Sequence, residues 1–256
     1  MEVLPIAFAR DNYLWLIHDG RHAALVDPGE AAPALAALHE RALVPVAMLL
    51  THHHADHIAG VGEILARHPG VPVYGPKEDE IAAVDHPVED GDRIALPALD
   101  LTLTALDVAA HTRGHVAYHG DGLLFCGDAL FSAGCGRLFE GTPADLERAL
   151  ARLAALDDDT KIYCGHEYTL ANLAFARAAE PENAARDQYA ARCEALRAEG
   201  LPTLPSTIAV EKEINPFLRP DAPGVVAMIA ARTGTRPANA RACLAALRAW
   251  KDVFVS

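Results

Sequence analysis

The sequence predicts a layered α/β domain followed by a smaller all-helical one. Two observations carry this. Through the first two-thirds, short β-type runs alternate with turn signals and helical stretches. Beyond residue 168 the strand signals stop, and the chain turns alanine-rich with apolar residues at helical spacing. The expected division is therefore 1–168 and 169–256.

The candidate strands, in order, are "YLWLIHDG", "HAALVDPG", "PVAMLLTH", "PVYGP", "DRIAL", "DLTLTALDVAAH", "GLLFCGDALF" and "KIYCGH", each bounded by Gly, Pro, Asp or Asn. Helices are predicted at roughly 31–42, 57–68 and 143–156. The last is announced by Thr142 as N-cap and Pro143 at the first helical position. In the final third, 171–200, 223–234 and 237–251 read as helices, with "LPTLPSTIAVEKEINPFLRP" as a proline-containing loop between them.

Composition excludes some functions. With 51% apolar residues the chain has ample surface to bury and is not disordered. A net charge of −13 argues against a nucleic-acid surface, which needs clustered Lys and Arg, but not against a small anion held by a few local cations. The five cysteines are dispersed without a C-x-x-C pair, as reduced thiols are. "MEVLPIAFARDNYLWLI" lacks the features of a signal peptide, and no apolar run reaches the ~18 residues that cross a bilayer. The expected address is the cytoplasm, with no membrane contact.

The chemistry concentrates in "THHHADH", residues 51–57, between the apolar run "PVAMLL" and a predicted helix. In extended chain, alternate side chains share a face, so His52 and His54 point together, Asp56 continues the alternation, and His53 points away. His57, at the helix start, swings back beside Asp56. Burial of so many imidazoles is hard to rationalise without a cation. Further ligands should also end apolar runs, and His111, Asp128 and His166 do. Sorted by chemistry, His52, His54 and His111 form one site, Asp56, His57 and His166 a second, and Asp128 bridges them. Such ligands suit zinc(II), iron(II) or manganese(II) and do not choose among them; two zinc ions are the expected cofactors. His115 reads as support or packing, and Asp27 as either a turn residue or a support beneath the metals.

These residues resemble the metallo-β-lactamase superfamily, whose T-H-x-H-x-D-H signature stands at Thr51–His57, with His111, Asp128 and His166 following in the family's order. Within it, "DNYLWLI" (11–17), "HTRGH" (111–115), "GDALFSAGCGRLFEGT" (127–142), "CGHEYTLANLAFA" (164–176), "NPFLR" (215–219) and "RAWKDVF" (248–254) are similar to glyoxalase II, the hydroxyacylglutathione hydrolases. The resemblance spans nearly the whole chain. It implies an αββα sandwich carrying two divalent metals, plus a helical domain that contacts glutathione. It also implies that Arg248 and Lys251, one helical turn apart, bind the glycine carboxylate of glutathione, and that Tyr168 contacts the same moiety.

Two positions depart from the family pattern. Arg137 stands where Lys is common, and Phe139 where Tyr is common. Arg keeps the cation with altered geometry, whereas Phe loses a hydroxyl, so weaker ground-state binding is expected with the chemical step intact.

The implied reaction is hydrolysis of S-D-lactoylglutathione to D-lactate and glutathione, by a hydroxide held between the metals, with Asp56 orienting it. This is the second step of methylglyoxal detoxification. The leaving thiolate, with a parent pKa near ~8.5, departs without a general acid. The implied partner is this small thioester alone, acted on by a monomer. The rival reading is a glutathione persulfide dioxygenase with a single iron, which does not need Asp56, His57 and His166 all as ligands. A β-lactamase is disfavoured by the missing export signal, a tRNA-processing nuclease by the charge, and a non-enzymatic metal scaffold or redox sensor would show no hydrolysis.

Overall fold

A computed structural model describes residues 1–255 of the chain. Its first sheet comprises β1 (Glu2–Phe8), β2 (Asn12–His18), β3 (His22–Val26), β4 (Val44–Leu49), β5 (Val73–Pro76) and β6 (His86–Val88), in that spatial order. The first three run antiparallel and the rest parallel. Parallel neighbours need crossovers. These are α1 (Ala31–Glu40) after β3, and α2 (Ala55–Ile58) with α3 (Val61–Arg67) after β4.

The second sheet begins with β7 (Arg93–Leu96), β8 (Leu101–Asp107), β9 (Val116–Gly120) and β10 (Leu123–Gly127), all antiparallel. A small hairpin follows, β11 (Leu130–Phe131) and β12 (Gly134–Cys135). Helix α4 (Pro143–Ala154) then crosses over to β13 (Lys161–Cys164), parallel to β10. Thr142 and Asp145 form a reciprocal capping box at the start of α4, and Leu146, Ala149, Leu150 and Leu153 make its buried stripe. The remaining elements are α5 (Thr169–Ala179), α6 (Ala184–Ala198), β14 (Ser206–Thr207), α7 (Ile208–Ile214), α8 (Pro223–Thr233) and α9 (Ala240–Asp252).

Strand β2 shows why the layers form. Every one of its residues is buried, because both faces of the strand are covered. Tyr13, Trp15 and Ile17 enter the core shared with the second sheet, whereas Leu14 and Leu16 enter the core beneath α1 and α3. The Trp15 indole N–H donates to the Cys164 carbonyl at 2.9 Å, tying the two sheets together at the end where the metal-type residues gather. The architecture is an αββα sandwich with a helical C-terminal region.

Several elements depart from the sequence reading. Strand β1 contains Pro5, which argues against a strand; the structure puts it at the sheet edge, where proline is tolerated. Strand β9 lies directly behind the "HTRGH" turn, and β6 is only three residues long. The helix predicted at 57–68 is two, α2 and α3, with Ala59 and Gly60 between them. The long 171–200 segment breaks at Pro181, with Asn183 capping α6. The supposed loop at 201–220 holds both β14 and α7, the latter capped by Thr207, and β14 extends the second sheet beside β13.

Candidate metal centre

All seven predicted ligands lie just beyond strand ends, at one edge of the sandwich. Residues 51–57 follow β4, His111 follows β8, Asp128 follows β10 and His166 follows β13. The structure brings them together. Ligand atoms of His52, His54 and His111 lie within 4.8 Å of one another, as do those of Asp56, His57 and His166, and those of His52, His57 and Asp128. His54 Nδ1 is 3.1 Å from both His52 Nε2 and His111 Nε2. The Asp128 carboxylate stands between the triads: Oδ2 is 3.5 Å from His111 Nε2 and 3.4 Å from His166 Nε2, and Oδ1 is 3.4 Å from His57 Nε2.

The outer nitrogens of these rings are already engaged. His57 Nδ1 meets Asp27 at 3.0 Å, His111 Nδ1 meets the Arg137 carbonyl at 2.9 Å, and His166 Nδ1 meets Asp11 at 3.0 Å. Each partner is an acceptor, so Nδ1 carries a proton and Nε2 is the ring atom that faces the centre. Asp27 also accepts the Thr51 amide and hydroxyl, at 2.8 and 2.7 Å. It therefore lies beneath the centre as a support, the second of the two readings its sequence position allowed.

The donor set fits a cation. His57 Nε2 and Asp128 Oδ1 are both buried and have no hydrogen-bond partner, although they face each other. Buried polar atoms are seldom left unsatisfied. Burial and neighbouring imidazoles hold the His52 pKa well below its ordinary value, and burial also lowers those of His54 and His111, so this triad offers neutral lone pairs. Burial opposes the charge on His57 too, but Asp128 and Asp27 outweigh it and raise its pKa to about 9. The imidazoles of His57 and His166 in turn hold Asp128 ionised despite its burial.

His53 turns out of the cluster, its ring nitrogens 3.0 Å from Asp79 and 3.4 Å from Glu140. His115 stacks on His52 at 4.6 Å, and its Nε2 accepts the Asp128 amide at 3.2 Å. Gly165 admits no side chain: a Cβ there would lie 2.6 Å from the His57 ring and 2.7 Å from the Asp128 carboxylate.

Beside the centre, the Tyr168 ring stacks on His166 at 4.6 Å, with Phe131 next to it. Phe139 is 62% exposed, its ring edge-on to His54 and His111 at 5.5 and 5.2 Å. Arg137 is exposed, with Nε 3.7 Å from the Asp252 carboxylate. Lys251 donates to the Ala171 carbonyl at 3.2 Å and lies over Phe175 at 5.3 Å. Arg248 is only 4% exposed, and its guanidinium is committed to Asp252 and to the Cys135 carbonyl.

Sequence reasoning missed four polar supports. Asp11 orients His166, and Asn12 donates to Asp56 at 3.0 Å. Glu167 accepts from Tyr13 at 3.0 Å and from the Thr203 amide at 2.9 Å, and Asp79 holds two ligand-bearing loops. The signal for Asp11 and Asn12 was present in "DNYLWLI", but no spacing rule linked it to residues 44 and 155 positions away.

Residues 9–166 match the metallo-beta-lactamase superfamily, and this fold and site define a hydrolase of that class. Residues 167–254 match the family described as hydroxyacylglutathione hydrolase C-terminus. The chain is 50% identical to a hydroxyacylglutathione hydrolase of Cupriavidus taiwanensis, over 99% of each chain. Among solved structures it resembles ETHE1 from Myxococcus xanthus (TM-score 0.65, 25% identity, 95% of this chain and 100% of that one). It also resembles TTHA1623 in a di-iron-bound form (TM-score 0.62, 25% identity, 84% of this chain and 100% of that one). The chain belongs to the hydroxyacylglutathione hydrolase family, glyoxalase II.

Proposed function

We propose that the chain hydrolyses the thioester of S-D-lactoylglutathione and related 2-hydroxyacylglutathiones at a two-ion centre. His52, His54 and His111 hold one divalent ion, Asp56, His57 and His166 the other, and Asp128 serves both. Zinc suits the imidazole-rich set, and iron(II) or manganese(II) suit it also; one structural relative was solved in a di-iron-bound form. The observation that carries this reading is the Asp128 carboxylate standing within 3.5 Å of imidazoles from both triads.

When bound, such ions lower the pKa of a water and polarise a carbonyl. The chain's own residues do the rest. Asp56, held by Asn12 and half-exposed at the mouth, orients the attacking hydroxide. Tyr168, packed on His166, lines the path of the glutathione chain. Arg137 and Lys251 present positive charge to the substrate's carboxylate end, with the buried Arg248 adding to it from behind, and Phe139 flanks the first triad. The thiolate leaving group, with its low parent pKa, needs no proton donor.

On this reading, residues 1–168 carry the metals and 169–256 the glutathione contacts. We read the chain as a monomer, each copy of which holds a whole centre, acting in the cytoplasm, consistent with five unpaired, buried cysteines. Among the described residues no helix is long and apolar enough to cross a membrane. The alternative, a persulfide dioxygenase with one iron, leaves the Asp56, His57 and His166 triad without a purpose.

Thiol release from S-D-lactoylglutathione, with metal quantification on the same sample, tests the proposal. Two ions per chain and hydrolysis are expected. Activity surviving both His54→Ala and Asp128→Ala overturns the two-ion reading, and one iron per chain with oxygen uptake on glutathione persulfide favours the alternative.

A further inference from the structure

Asp79 ends the short helical turn Lys77–Asp79 after β5, and its side chain is only 2% exposed. Its carboxylate gathers donors from two loops. Oδ2 accepts the His53 amide at 2.9 Å and lies 3.0 Å from His53 Nδ1. Oδ1 accepts the Gly114 amide at 2.9 Å, and the Thr112 hydroxyl lies 3.4 Å from Oδ2. Gly114 approaches so closely that a Cβ there would stand 2.8 Å from the Asp79 backbone nitrogen.

His53 sits between His52 and His54, and Thr112 follows His111. One buried carboxylate therefore joins the two chain segments whose neighbouring residues form the first triad. The second triad has other supports, Asp27 under His57, Asn12 beside Asp56 and Asp11 on His166.

We infer that Asp79 is a positioning residue for the first ion, clamping the 52–54 and 111–114 loops so that the three imidazole nitrogens converge. It never touches the ion. The role of His53 follows: turned away from the metals, it supplies Asp79 with two of its donors, and so belongs to the clamp. This inference rests on the two-ion reading above.

The test is stepwise metal titration of the metal-free full chain with zinc against a competing chelator, beside thermal melts of the metal-free proteins. In a His166→Ala background, where only the first triad is intact, Asp79→Asn should weaken the remaining ion by about 10- to 100-fold, the usual effect of losing an outer support. In a His54→Ala background it should change the remaining ion by no more than about twofold, as independent sites behave. Equal weakening in both backgrounds, or none in either, overturns the inference. Should Asp79→Asn fail to fold, His53→Ala decides, because it removes one donor and leaves the carboxylate in place. It must weaken the first ion and spare the second, and unchanged affinity for both overturns the clamp. A wild-type chain that does not bind two ions overturns the underlying site reading instead, and is visible before any variant is made.

Discussion

Arg248 donates from Nη1 to the carbonyl oxygen of Cys135 at 2.7 Å, across 113 positions of chain. Two residues beyond that carbonyl, Arg137 offers its own to His111 Nδ1. The last helix, α9, is thus tied to the loop that orients a first-triad imidazole. Asp252 completes the arrangement, accepting from Arg248 Nε and Nη2 at 3.2 and 3.0 Å.

Arg248→Ala should therefore act twice. It removes a cation from the proposed carboxylate site, raising KM, and it unties the 135–137 loop. Charge-assisted hydrogen bonds of this kind stabilise by about 2 kcal/mol, which chemical denaturation would read. Lysine cannot span Asp252 and a carbonyl at once, so Arg248→Lys should restore little of either. Full recovery of stability and KM in Arg248→Lys would show that only the charge matters.

On the proposed reading, Lys251 should give substrate binding a pH dependence. Burial, then the nearby positive charges of Arg248 and Arg137, lower its pKa to about 8. The ammonium that would pair with a carboxylate is present below about pH 8 and lost above it. The Lys251 contribution to affinity should fade by up to about tenfold per pH unit above that point. A guanidinium stays charged throughout, so Lys251→Arg should flatten the alkaline limb of KM. An identical limb in both proteins would remove Lys251 from substrate binding.

Phe139 presents an exposed ring edge-on to His54 and His111. Its neighbourhood leaves room for a hydroxyl in solvent beside the first triad. Phe139→Tyr should lower KM by about 5- to 10-fold, the worth of one added hydrogen bond, with kcat unchanged. Steady-state kinetics on S-D-lactoylglutathione check this. A change confined to kcat would place the residue at the reacting atoms rather than on the glutathione side.

The cluster of candidate ligands was legible because their residue types are rare and their spacing is chemical. Four histidines and an aspartate after a buried strand imply a cation wherever the rest of the chain goes. His111, Asp128 and His166 could be found because each ends an apolar run, and strand ends share an edge. Asp11, Asn12, Asp79 and Glu167 were not legible, since each is a single polar residue whose partner lies at least 26 positions away. Helix α7 was hidden by the prolines around it, and β1 by Pro5. Arg248 read, through the family resemblance, as a carboxylate-binding cation beside Lys251; only the fold shows that α9 presses it into the 135–137 loop.

Glu211 offers a sharper test of how the helical region supports the centre. It is wholly buried on α7, and its carboxylate accepts the Ser206 hydroxyl at 2.5 Å, the Ala133 amide at 2.8 Å and the Asn215 amide at 3.0 Å. Ala133 sits at a φ of +55°, a left-handed conformation that non-glycine residues adopt only under constraint. Asn215 donates onward to the Gly134 carbonyl at 3.0 Å, so one acidic side chain fastens the hairpin that leads to Phe131 and Tyr168. Glu211→Ala would strand three buried donors and release that strained residue. The loss of stability should reach about 3 kcal/mol or more, at the cost of about 1–3 kcal/mol per unsatisfied group. Glu211→Gln, which keeps the shape and one acceptor oxygen, should lose roughly half as much. Denaturation midpoints with unchanged slopes would read both, and KM should rise in Glu211→Ala as Tyr168 loses its packing. A Glu211→Ala protein as stable as the parent would mean that α7 and the hairpin are held together by apolar packing alone.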